Sequence, residues 1–145
     1  MIYKLTDRES TEALGAALAE ELEKRNIRRA FIALYGEVGV GKTVFTRGFA
    51  SHFGITGVKS PTYTIVNEHR SGKIIVYHFD LYRIEDESDL ESIGWDDYMS
   101  RDAYSLAEWC ERIPYDIPED AIRVTISRSD EGEDVRIIEI RGIDL

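Results

Sequence analysis

The octapeptide Gly36-Glu-Val-Gly-Val-Gly-Lys42-Thr43 satisfies the pattern G-x-x-x-x-G-K-[ST], and no other feature narrows the possible folds as far. Its glycines let the backbone curl until successive N–H groups point at one anion. A helix that begins at the lysine turns its positive end toward the same point. Such a loop belongs between a strand and a helix, and the flanking residues supply both. Ala30–Tyr35 (AFIALY) is a short continuous apolar run, the mark of a strand buried on both faces. The amphipathic stretch that follows predicts a helix starting inside the loop and reaching His52 or Phe53, with Gly54 as its stop.

The remaining pattern is that of an α/β protein. Residues 1–5 (MIYKL) read as a short edge strand. Thr6 and Glu9 match a capping box, with Ser10 as a second possible cap. Ala13, Leu14, Ala17, Leu18 and Leu22 recur at helical spacing and predict a helix to about Lys24. Thr62–His69 and Lys73–Phe79 read as a hairpin turning at Arg70-Ser71-Gly72. Residues 85–97 carry seven acids and no base, which suits short helices or loops. Tyr104–Trp109 is a compact strand. Ile122–Arg128 and Val135–Arg141 alternate apolar and polar residues, and Ser129–Asp134 joins them as a closing hairpin. The expected fold is a P-loop NTPase-like three-layer sandwich. Its mixed sheet has about seven strands, parallel at the centre, with helices on both faces.

A length of 145 residues suits a single domain, 1–145. The net charge of −10 disfavours direct, unaided binding to a phosphate backbone. Apolar runs fall far short of the roughly 20 residues that span a bilayer, and MIYKLTDRES has no apolar signal core. Cys110 is the only cysteine, which excludes an intrachain disulfide and points to a reducing cytoplasm.

The loop implies a nucleotide triphosphate with magnesium. Its residues Glu37, Val38, Gly39, Val40 and Gly41 supply backbone to the phosphates. Lys42 reaches the β and γ phosphates, and the Thr43 hydroxyl takes a magnesium position. An Asn-Lys-x-Asp guanine-reading motif is absent from the sequence, so ATP is favoured over GTP. Hydrolysis needs an acid at a strand end beside the loop. Asp80 ends one apolar run, Ile74–Phe79, and Glu108 ends another, Tyr104–Ala107. Either fits a metal or water-activating role, and the residues alone do not choose. His78 lies on the same strand face as Asp80, in reach of that carboxylate or a phosphate. Ser60-Pro-Thr-Tyr-Thr64 has the make-up of a switch loop that senses the γ-phosphate.

Five blocks occur in order: GEVGVGKT, Ser60-Pro-Thr-Tyr-Thr64, Val66-Asn-Glu68, His78-Phe-Asp-Leu-Tyr-Arg83 and Ala107-Glu-Trp109. Together they resemble the TsaE family of small bacterial ATPases, over nearly the whole chain. The resemblance implies the ATPase partner of a complex that forms threonylcarbamoyladenosine in tRNAs reading codons that start with adenosine. The other partners are two subunits of the ASKHA fold, one of which transfers the threonylcarbamoyl group, so tRNA is met only indirectly. ATP binding would assemble the complex and hydrolysis would reset it. By the same resemblance Thr43 and Glu108 are magnesium-site positions, Asp80 is the acid close to metal and phosphates, and Thr62 is the switch threonine. Thr11 matches a nucleotide-contacting threonine near the base, and Arg136 a C-terminal arginine near the nucleotide. Cys110 departs from the family, which often has proline there. The competing readings are a small-molecule kinase and a nucleotide-dependent binding module without useful turnover. The acidic stretch 85–97 is the obvious candidate lid for a kinase and is poorly charged for phosphate.

Overall fold

The run Ala30–Tyr35 is the central strand of a seven-stranded sheet in the computed structural model, which describes residues 1–61 and 64–145. The elements in chain order are β1 (Ile2–Leu5), α1 (Arg8–Lys24), β2 (Ala30–Tyr35), α2 (Lys42–Ser51), β3 (Val66–Ser71) and β4 (Ile74–Asp80). They continue with α3 (Glu87–Ile93), α4 (Trp95–Met99), β5 (Tyr104–Glu108), β6 (Ile122–Ser129) and β7 (Gly132–Arg141). The sheet order is β1-β7-β6-β2-β5-β4-β3. The four middle strands β6, β2, β5 and β4 are parallel, and β3, β7 and β1 add antiparallel at the two sides. This is the mixed α/β sandwich expected from the sequence.

Side-chain alternation divides the core into two layers. Ile32, Leu34, Leu106, Val124 and Ile126 face α1 and α2. Phe31, Ala33, Tyr77, Phe79 and Ala107 face the short helices α3 and α4. His78, Asp80 and Glu108 stand at strand positions that alternate with the second set, and so point to the α1–α2 side at the carboxyl ends of the parallel strands.

Five local boundaries differ from the sequence reading. The cap of α1 is Asp7, whose carboxylate accepts the Ser10 N–H at 2.7 Å. A charged acceptor gains more from the positive helix end than a hydroxyl does. The β3–β4 turn is Gly72-Lys73, because Ser71 pairs with Ile74 and Gly72 takes φ +59°. β3 begins only at Val66. Trp109 leaves β5 at φ +64° and is not a strand residue. Finally, β7 begins at Gly132, three residues before the apolar alternation. The ladder there is held by backbone bonds and needs no buried side chain.

Candidate functional site

The loop Gly36–Thr43 turns directly from β2 into α2. Gly36 and Gly41 sit at φ +146° and +125°, a region that side-chain-bearing residues rarely adopt. At Gly36 a Cβ would also approach Val40 Cγ1 to 2.8 Å. Lys42 is buried, its Nζ donating to the Gly36 carbonyl at 2.6 Å and lying 5.3 Å from the centroid of the Trp109 ring.

Two arginines hold the loop from outside. Arg128 donates to Glu37 Oε2 at 2.9 Å and to the Val38 carbonyl at 3.4 Å, and Arg136 donates through Nε to the Val40 carbonyl at 2.8 Å. The two face each other across the β6–β7 ladder. In a trans peptide the N–H points away from the C=O. Pinning the Val38 and Val40 carbonyls therefore turns the Gly39 and Gly41 amides away from the arginines, and both glycines line the cleft. Sequence reasoning missed Arg128, since an arginine at a strand end carries no signal separating it from surface charge.

The cleft beside the loop has a volume of about 390 Å³, and Lys42, Thr43, Asp80, Glu108 and Trp109 line it. Register brings the two acids together, because Asp80 of β4 pairs with Glu108 of β5. Of the two acids Glu108 touches the loop's hydroxyl: Thr43 Oγ1 donates to Glu108 Oε2 at 3.3 Å and stands 2.6 Å from Ser60 Oγ. His78, fully buried, approaches the same Oε2 through Nε2 at 2.8 Å. Asp80 Oδ1 accepts the Tyr82 N–H at 3.1 Å. Thr43, Glu108 and Asp80 are an all-oxygen donor set. It fits magnesium, a hard cation that keeps several waters and asks for few protein ligands.

A second lobe of about 210 Å³ shares Gly39, Gly41 and Val44 with the first and adds Thr11, Val40, Asp134 and Arg136. Thr11 and Arg136 are thus placed across the loop from the acids. Glu37 lines neither lobe and turns outward to Arg128. Thr62 lies outside the described residues.

Trp109 walls the cleft in a left-handed conformation, its ring 5.0 Å from Tyr82, with the Arg112 guanidinium 5.3 Å from Tyr82. Cys110 beside it is buried, and burial pushes its thiol up to about 12. A thiol held protonated is a small apolar group rather than a nucleophile, so the departure from proline adds no chemistry. Among the described residues no helix is long and apolar enough to cross a membrane.

Comparison with known proteins identifies the relatives of this chain. The family model described as "Threonylcarbamoyl adenosine biosynthesis protein TsaE" matches residues 5–138. The tRNA threonylcarbamoyladenosine biosynthesis protein TsaE of Bacillus subtilis (strain 168) is 35% identical over 142 residues, covering 97% of this chain and 85% of that protein. Its counterpart in Haemophilus influenzae is 39% identical over 136 residues, covering 92% and 86%. The crystal structure of the Bacillus protein YdiB superposes with a TM-score of 0.78 at 30% identity, over 95% of this chain and 82% of that one. With a phosphate loop, a strand-end acid on its threonine and a match over residues 5–138, this chain belongs to the TsaE family.

Proposed function

We propose that the chain is a single ATPase domain that binds ATP with magnesium and hydrolyses it in the cytoplasm. In this reading it is the energy-using component of the machinery that forms threonylcarbamoyladenosine in tRNAs reading codons that start with adenosine. The observation that carries the reading is the contact between Thr43 of the phosphate loop and Glu108 at the end of a neighbouring parallel strand, with Lys42 and Asp80 in the same cleft. A glycine-rich turn without a ligand has no need of that convergence.

The roles follow from position. The Gly39 and Gly41 amides and the Lys42 ammonium take the phosphates. Thr43 and Glu108 would hold magnesium, which would supply charge neutralisation to the phosphates. Asp80 stands beside Glu108 to orient a water, either on the metal or as nucleophile. Thr11 and Arg136 bound the lobe that takes the nucleoside. Among the described residues Arg128 and Arg136 touch the loop, and both are engaged on its outer carbonyls. On the family resemblance we assign acceleration of hydrolysis to docking of the two ASKHA-fold partners. Charge supplied in trans at the γ-phosphate contributes roughly 10³–10⁵ in rate in related enzymes.

Calorimetry tests the binding step: Lys42→Ala should abolish ATP binding while leaving the circular dichroism spectrum intact, and unchanged affinity would refute the assignment. Phosphate release tests the chemistry. Asp80→Ala and Glu108→Ala should each slow it by about tenfold or more. Turnover that stays flat while the partners demonstrably bind would reject activation in trans.

A further inference from the structure

We infer that His78 is a positioning residue that selects which oxygen of Glu108 faces the metal. The inference rests on the reading of Glu108 as the magnesium-site carboxylate. His78 is 0% exposed and stands inside β4, where its ladder partners are Leu106 on one side and Asn67 on the other. Leucine would fill that space without a polar atom. Its Nε2 reaches diagonally across the β4–β5 ladder, in which His78 pairs with Leu106 and Asp80 with Glu108, to meet Glu108 Oε2 at 2.8 Å. A carboxylate only accepts, so in this bond His78 Nε2 is the donor.

That assignment accounts for both carboxylate oxygens. A carboxylate oxygen has two lone pairs. Those of Oε2 meet His78 Nε2–H and Thr43 Oγ1–H. Oε1 has no hydrogen bond among the described residues, and Glu108 lines the cleft. The imidazole thus locks Oε2 inward and leaves Oε1 as the oxygen for magnesium or a magnesium-bound water. Outer groups of this kind change metal affinity by about 10–100-fold when removed.

The other ring nitrogen supports the same view. His78 Nδ1 is buried without a hydrogen-bond partner among the described residues, as is His69 Nε2. On the β3–β4 hairpin Asn67 pairs with His78 and His69 with Val76, so both rings lie on one face. Buried polar side-chain atoms mostly have a hydrogen-bond partner. Here the single satisfied nitrogen is the one on Glu108.

The test uses the full chain with a non-hydrolysable ATP analogue, and reads Mn²⁺ binding by electron paramagnetic resonance. Nucleotide affinity without divalent metal is measured in parallel by calorimetry. His78→Leu should weaken Mn²⁺ binding by about tenfold or more and leave metal-free nucleotide affinity unchanged. His78→Gln, whose amide nitrogen reaches the Nε2 position, should restore Mn²⁺ binding to within about threefold of wild type, while His78→Asn, equally polar but too short, should not. If the Leu variant does not fold, the Gln and Asn pair decides alone. Wild-type Mn²⁺ affinity in folded Leu or Asn variants, or a folded Gln variant as weak as Asn, overturns the inference. If wild-type protein binds no metal with the analogue, or Glu108→Ala binds it as well as wild type, the reading of the site falls and takes this inference with it.

Discussion

The two faces of the sheet are filled by opposite means. On one side α1 and α2, of 17 and 10 residues, approach backbone to backbone at two glycines. A Cβ at Gly48 would lie 2.6 Å from both the carbonyl carbon and the Cα of Glu12, and one at Gly15 would lie 2.9 Å from Phe49 N. On the other side α3 and α4 have only 7 and 5 residues, and aromatic rings make up the volume. Trp95 meets Phe31 and Phe79 edge-on at 5.8 and 5.2 Å, and Tyr98 meets Tyr77 and Phe79 at 4.9 and 5.4 Å. Backbone contact leaves no room to adjust, whereas rings on short helices do. The site hangs on the unyielding face: α2 opens at Lys42, and Glu108, His78 and Asp80 all point that way.

This contrast can be broken experimentally. The largest effect is expected from Gly48→Ala, which sets a methyl against Glu12 backbone that has nowhere to move. It should cost more than about 3 kcal/mol and remove nucleotide binding with the fold, as denaturant titration and calorimetry would show. If it is tolerated, α1 and α2 are not locked as described. Trp95→Ala on the other face should cost about 3 kcal/mol yet leave the ATP affinity of the folded fraction unchanged. A large loss of affinity would show that the aromatic layer also holds the site.

Smaller effects sharpen the comparison. Arg128→Ala should weaken ATP binding several-fold, about 1 kcal/mol, without changing the melting temperature, because it frees the Val38 carbonyl and so the Gly39 amide. His69 reports on the edge of the sheet. Burial, with His78 nearby, holds its imidazole below the ordinary 6.5. A base so depressed binds fewer protons folded than unfolded, so its contribution is complete above pH 6.5 and is lost as the pH falls below that value. The melting temperature of His69→Gln should therefore fall less than that of wild type between pH 8 and 5. The smallest effect is a null. Iodoacetamide at pH 8 should leave Cys110 unlabelled in folded protein and label it in denaturant.

Much of this architecture is legible locally. AFIALY followed by the glycine loop specifies a buried strand, a phosphate cradle and a helix, since each depends on residues within one turn of one another. The acidic stretch, which the sequence leaves as short helices or loops, forms two short helices whose acids act as caps and first-turn charges, with Asp86 accepting the Asp89 N–H at 3.1 Å. Where the reading slipped, tertiary pairing overrode the local preference. β7 runs past its apolar pattern because β6 supplies ladder partners, and Trp109 leaves the strand to wall the cleft.

The sequence by itself determined the phosphate loop, the α/β class, the family blocks and the two acids worth considering. Only the tertiary structure showed which of those acids meets the Thr43 hydroxyl, put His78 on Glu108 rather than Asp80, and brought in Arg128. Asp80 and Glu108 both end apolar strands, so periodicity treats them alike. Thr43 lies 65 positions from Glu108, and Arg128 lies 91 from Glu37. Those contacts depend on strand order and register, which bring distant residues together through the sum of many pairings. A side chain's hydrogen-bond partner across the sheet leaves no trace in its own neighbourhood.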